Sequence, residues 1–160
     1  MDPHGSILFS SRGAFTEAIL TAVAAGRREI TVADRDFRDW PFETLAGDQS
    51  LAAFLQGEPR ARLRLLVADP TWLERHAPRF GQLRQRYRAA IECRQIPPEY
   101  DRGESVLIAD RCHLLRRAHH DFFRGRLTLG SPSEVEPVAS RYDALWNEST
   151  DCLGPTTLGL

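Results

Sequence analysis

Strand-length apolar segments alternate with helical stripes through the first two-thirds of this chain. Three strand-like segments then follow in succession before one closing helix. That order restricts the fold to an α/β class with a mixed sheet flanked by helices. A short strand is expected near residues 7–9. A helix over 11–25 follows, with Phe15, Ile19, Ala22 and Val23 on one face and Gly26 as its stop. Residues 29–34 (Glu-Ile-Thr-Val-Ala-Asp) read as a buried strand, 35–42 as a polar, aromatic connection and 48–56 as a short helix. A strand over 62–68 leads to Asp69 and Pro70, suited to N-cap and first turn of a helix through Trp72, Leu73 and His76. A helix over 79–90 and a strand over 92–96 precede Pro97-Pro98. Strands are expected at 106–109, 113–118 and 126–129. Ser131-Pro132-Ser133-Glu134 has the pattern of a capping box, and Val135, Val138, Tyr142, Leu145 and Trp146 form the stripe of the last helix. Residues 1–150 are read as a single domain and 151–160 as an irregular tail.

All 21 basic residues among the 160 are arginine. Without lysine there is no Schiff base and no phosphate-loop ammonium, and arginine is a poor proton shuttle. The charge is segregated. Residues 60–126 carry 15 arginines against 8 acids, a balance of +7, between two ends at −4 each. Such a block either meets a phosphate-rich ligand or is neutralised by the chain's own acidic ends. No apolar run approaches the ~20 residues of a membrane span, and the first residues lack the pattern of a secretory signal. Cys93, Cys112 and Cys152 are odd in number and widely spaced. A disulfide framework and a zinc knuckle are therefore not expected, and a reducing cytoplasm is. The arginine- and alanine-rich usage fits a GC-rich bacterial genome.

From about residue 62 to 149 the order of elements resembles the phospholipase D-like fold. Val106-Leu-Ile-Ala-Asp110 matches its hydrophobic strand and terminal aspartate, and Tyr142-Asp-Ala-Leu-Trp146 its closing helix. The resemblance places the His-x-Lys positions of that fold on Gly103 and Ser105, and its Gly-Ser-x-Asn stretch on Arg117-Ala118-His119-His120. Glycine cannot attack phosphorus and serine carries no charge, so the resemblance implies a lost phosphodiesterase mechanism. The whole chain resembles an uncharacterised family of short proteobacterial proteins with this fold. The resemblance is carried by Asp34-Arg-Asp-Phe-Arg-Asp-Trp-Pro41, Arg116-Arg-Ala-His-His-Asp121 and Arg124-Gly125, Arg141-Tyr-Asp-Ala-Leu-Trp146 and the terminal Thr-Thr-Leu-Gly-Leu. It implies no specific activity, and by the habit of single-motif members of the fold it implies a homodimer.

Arg116, Arg117, His119, His120, Asp121, Arg124 and Arg126 form the principal candidate site. On a continuing strand, Arg117 and His119 would share one face, with Arg116 and His120 on the other. The cluster is open to three readings: a phosphate clamp, an inter-strand ion-pair network, or a metal or general-base site at His119, His120 and Asp121. Asp34, Asp36 and Trp40 are secondary candidates. Asp34-x-Asp36 after a buried strand is similar to haloacid-dehalogenase-like phosphatases, but Arg38 and the missing lysine depart from that pattern; the favoured reading is that Asp34, Asp36 and Asp39 pair with the basic block or cap the segment entering Trp40-Pro41. Trp40 is the one tryptophan considered for ligand contact, with a loop anchor as the favoured role. The expectation is a catalytically degenerate binding module for a phosphate-bearing ligand or nucleic acid, with no catalytic residue, cofactor, metal or membrane partner. The alternatives are a homodimeric assembly domain and a metal-dependent phosphoester hydrolase.

Overall fold

In the computed structural model, which describes residues 5–154, the apolar strand segments form one eight-stranded sheet. β1 (Ser6–Phe9) leads into α1 (Arg12–Ala25), which the Ser11 hydroxyl caps by accepting the Ala14 N–H at 3.1 Å. β2 (Glu29–Asp34), β3 (Arg62–Val67) and β4 (Ile91–Gln95) pair in parallel, which requires crossovers. α2 (Leu45–Gly57) supplies the first, and α3 (Thr71–His76) with α4 (Pro78–Arg86) the second. β5 (Ser105–Ala109) then returns antiparallel beside β2, and β6 (His113–Arg117) and β7 (Gly125–Thr128) follow. β8 (Thr150–Asp151) comes after α5 (Pro132–Glu148), and the strand order is β1-β7-β6-β5-β2-β3-β4-β8. All five residues of β5 are buried, as befits an interior strand covered on both faces.

Alternation divides the sheet's side chains between two cores. On one face Ile30, Val32, Leu63, Leu65, Leu107 and Leu115 join Phe15 and Ile19 of α1, Leu51 of α2 and Phe80 of α4. On the other, Ala33, Leu66, Val106, Ile108 and Leu114 meet Val135, Ala139, Tyr142 and Trp146 of α5. Arginines of the central block fasten α5. Arg64 donates to Asp143 at 2.7 Å, and Arg111 bonds both oxygens of Glu136 and reaches Asp143 at 2.6 Å. Arg94 lies over the Trp146 ring, 4.4 Å from its centroid. The cluster beneath α5 ends at Leu114, so this face of β7 and β1 stays open, with Leu8 72% exposed.

Several local expectations need correcting. The Ser131 hydroxyl caps no backbone amide; it donates to the Glu134 carboxylate at 3.2 Å, so the capping box is not made. Pro70, not Asp69, is the N-cap residue of α3, while Asp69 accepts the Thr71 N–H at 3.0 Å. The second helix begins at Leu45, where Thr44 caps it through Gly47 N–H at 3.0 Å. Strand β6 stops at Arg117, so the alternation expected through His120 is broken at Ala118. The segment read as a tail opens with β8, paired to Arg94 and Gln95 of β4; the terminal Thr-Thr-Leu-Gly-Leu lies outside the described residues. Among the described residues no helix is long and apolar enough to cross a membrane.

Candidate functional site

β5 and β6 meet at their ends with Ser105 directly opposite Arg117. The Arg117 guanidinium is 0% exposed, and each of its three nitrogens donates a bond. Its Nε donates to Ser105 Oγ at 2.9 Å, Nη1 to Asp39 at 3.1 Å and Nη2 to Asp34 at 3.2 Å. It also sits 4.4 Å from the centroid of the Phe15 ring. Asp34 accepts from the Ser105 hydroxyl and from the backbone N–H groups of Asp36 and Phe37. Two buried charges survive here because each Arg117 nitrogen donates one bond and both Asp34 oxygens accept. Asp36, more exposed, accepts the Arg38 N–H at 3.0 Å. Trp40 is 3% exposed and packs against Phe15, Phe37 and Phe42. The loop that carries it folds inward because three aromatic rings favour burial there, so Trp40 anchors the loop in the core and is not placed for ligand contact.

The turn after β6 brings His119, His120 and Asp121 together. The two imidazoles stack with centroids 4.4 Å apart, and the three side chains offer ligand atoms within 4.8 Å of one another. They lean on Gly103: a Cβ there would lie 3.0 Å from His120 Nδ1 and 3.1 Å from His119 Nε2, at a backbone φ of +73°. His120 N–H also donates to the Gly103 carbonyl at 2.8 Å. Arg35 Nη1 lies 3.1 Å from His120 Nε2. A guanidinium only donates, so this contact uses the Nε2 lone pair of His120. Asp121 Oδ1 lies 3.4 Å from the same nitrogen. A cation held by these three side chains would compete with two contacts already made. Arg35 already holds the lone pair of His120 Nε2, and the Asp121 N–H is directed at His119 Nδ1 at 3.2 Å.

On the open face beyond α5 lies a groove of about 650 Å³ lined by Arg116, His119, Arg124 and Arg126, with Leu8, Leu114 and Phe122 as apolar walls and Glu134 at its rim. Arg126 pairs directly with Arg116 on one side and with Leu8 on the other. Like charges facing across an antiparallel pair cost stability. Arg116 is partly compensated by Glu104 at 2.8 Å, a carboxylate it shares with Arg141 at 3.2 Å. Among the described residues no ion pair within 4.0 Å is formed by Arg124 or Arg126. Gly125 between them admits no side chain: a Cβ would fall 2.3 Å from the Arg116 carbonyl and 2.4 Å from the Phe9 ring. This close approach sets the two arginines where they are.

The seven principal candidates are thus divided. Arg116, His119, Arg124 and Arg126 line the groove; Arg117 is buried on the opposite face with Asp34; His120 and Asp121 stand behind His119. Sequence reading missed Phe122 and Leu8 as groove residues. Phe122 left a signal, an aromatic inside the basic run His-His-Asp-Phe-Phe-Arg-Gly-Arg, whereas Leu8 joins only through the β1–β7 pairing.

A family model described as a domain of unknown function (DUF7931) matches residues 11–155. No curated protein matches the sequence. Among solved structures the chain is similar to TrmBL2, an archaeal chromatin protein whose structure shows a novel mode of DNA binding. The TM-score is 0.69 and the identity 12%, over 95% of this chain and 55% of that one, so the chain spans about half of TrmBL2. Nuc from Salmonella typhimurium, a phospholipase D family member, aligns with a TM-score of 0.67 and 12% identity over 92% and 97% of the two chains. NucT from Helicobacter pylori aligns with a TM-score of 0.63 and 7% identity over 92% and 99%. At such identities the likeness establishes the phospholipase D-like fold and nothing finer.

Proposed function

The chain belongs to the DUF7931 family, and we propose that it is a binding module for a phosphate-bearing ligand, nucleic acid foremost, with the groove at Arg116, Arg124 and Arg126 as its site. One observation carries this reading. Most of the paired arginines of the central block are held by carboxylates of the acidic ends, as at Glu29, Asp34, Asp39, Glu136 and Asp143. The groove instead keeps Arg126 facing an Arg116 whose carboxylate, Glu104, is shared with Arg141, beside an Arg124 that forms no ion pair among the described residues. Excess cation density in a concave surface is what phosphate oxygens neutralise, and arginine presents the fork that binds them. TrmBL2, a DNA-binding protein by its description, adds support from the same fold.

Hydrolysis is not part of the proposal. Gly103 and Ser105 provide neither attacking imidazole nor ammonium at the positions the resemblance assigns to them, and Arg117 is committed to Asp34 and Asp39. The test is binding of a labelled oligonucleotide to the wild type and to an Arg124→Ala/Arg126→Ala variant. Wild-type binding and a loss of at least about tenfold in the variant are expected for two phosphate contacts. Equal binding would remove the proposal. Arg117 is unsuited to such a test, because its removal strikes the core.

A second reading, a homodimer, is favoured by Leu8 and Phe122, which are 72% and 67% exposed beside the edge strand β1. Light scattering across a concentration series separates it, and a strict monomer would end it.

A further inference from the structure

The groove contains a feature that phosphate recognition alone does not require. Phe122 is 67% exposed and lines the same concavity as Arg124 and Arg126. Its ring centroid lies 6.3 Å from that of His119, which in turn stacks on His120. Core packing does not explain the ring's position, because the neighbouring Phe123 is the one that turns inward. Phe123 meets Phe15 at 5.9 Å and lies beneath the Arg12 guanidinium at 4.7 Å. The turn is also anchored: His120 N–H donates to the Gly103 carbonyl at 2.8 Å and Phe122 N–H to the His119 carbonyl at 3.1 Å. Phe122 is therefore displayed from a backbone already held in place, so ordering it on binding costs little.

Base pairing decides which nucleic acid such a surface suits. In a duplex the base faces are stacked on one another, and only their edges reach the grooves. An exposed ring finds no face to cover there. A single strand offers its base faces, and proteins that bind it combine a cationic groove with aromatic platforms. Resting on the phosphate-binding reading of this groove, we propose that its ligand is single-stranded nucleic acid. Phe122 and His119 stack on bases while Arg116, Arg124 and Arg126 follow the backbone.

The test measures fluorescence anisotropy with single-stranded DNA and RNA oligonucleotides, the duplex of the same sequence, and polyphosphate as a polyanion without bases. The proteins compared are wild type, Phe122→Ala, Phe122→Trp and Arg124→Ala/Arg126→Ala. Single strands should bind more tightly than duplex. Phe122→Ala should weaken single-strand binding by about 5- to 150-fold, the range for loss of one stacked base. It should leave polyphosphate binding unchanged, and Phe122→Trp should retain single-strand affinity. The arginine variant should weaken every ligand. The proposal is overturned if Phe122→Ala binds single strands as the wild type does, or loses oligonucleotide and polyphosphate alike, or if duplex is preferred. In those cases the arginine variant still reports whether the phosphate reading stands. Wild type that binds no polyanion removes both. Self-association that is lost in Phe122→Ala, without any effect on oligonucleotides, makes the ring an assembly contact and also overturns the proposal.

Discussion

Arg117 faces Ser105 across the β5–β6 ladder and donates its Nε–H to the serine hydroxyl at 2.9 Å. Ser105 is the position to which the phospholipase D-like resemblance assigns a lysine, so a cation from the neighbouring strand occupies space beside it. That cation is not available to a ligand. It is locked between Asp34 and Asp39 with none of its surface in solvent.

Arg117→Ala should therefore act on stability before it acts on binding. It leaves the Asp34 carboxylate buried without its partner, and breaking a buried pair in this way costs about 3–5 kcal/mol. Urea unfolding monitored by tryptophan fluorescence should show that loss. Arg117→Lys should recover only part of it, since one ammonium cannot reproduce the fork that reaches Ser105, Asp39 and Asp34 together. A change below about 0.5 kcal/mol in Arg117→Ala would contradict this account of the core.

Gly103 is the second position at which the resemblance places a catalytic group, and here the backbone opposes restoration. Its φ is +73°, and a Cβ would press on both stacked imidazoles. Gly103→Ala should cost about 1–2 kcal/mol from the left-handed conformation alone, with a further cost from displacing His119 and His120. Gly103→His/Ser105→Lys should accordingly lower the melting temperature and restore no phosphodiesterase turnover. A stable double variant with turnover would show that the pocket is still open.

Cys93 gives a prediction in pH. Burial on β4 raises its thiol from the ordinary 9.0 to about 12, with nearby Arg84 pulling the other way. Cys152, in backbone contact with Cys93, is raised to about 11 by its own burial. A thiol raised in the fold is protonated there at pH values where the unfolded chain has already ionised. Its contribution is fully present below pH 9.0 and is lost between there and about 12, so stability should fall as pH rises through that interval. Alanine at both positions should flatten the decline. Iodoacetamide at pH 8 should modify Cys93 only after unfolding, whereas Cys112 and Cys152 are half-buried; rapid labelling of Cys93 itself in the native protein, located by peptide mapping, would contradict the burial.

Much of the fold was legible in the residues themselves. Apolar period and strand length marked β2, β3 and β5, and the stripe of α5 appeared at the expected positions because Val135, Tyr142 and Trp146 pack on one sheet face. The site was only partly legible. Reading 113–118 as one strand put His119 and His120 on opposite faces, but β6 ends at Arg117 and the turn stacks them. Whether an arginine is spent or spare depends on partners far away in the chain. Arg117 finds Asp34 and Asp39, 83 and 78 residues away, whereas Arg126 meets Arg116 and Leu8. Strand pairing decides between those outcomes, and periodicity does not report it.

The most direct measurement for the account as a whole is the salt dependence of single-stranded oligonucleotide affinity in wild type and in Arg124→Ala/Arg126→Ala. Each phosphate contact on a single strand contributes about 0.7 to the slope of log affinity against log salt. Removing two contacts should make the slope shallower by about 1.4 and weaken binding most at low salt. Parallel lines of equal affinity would mean that this groove does not hold phosphate.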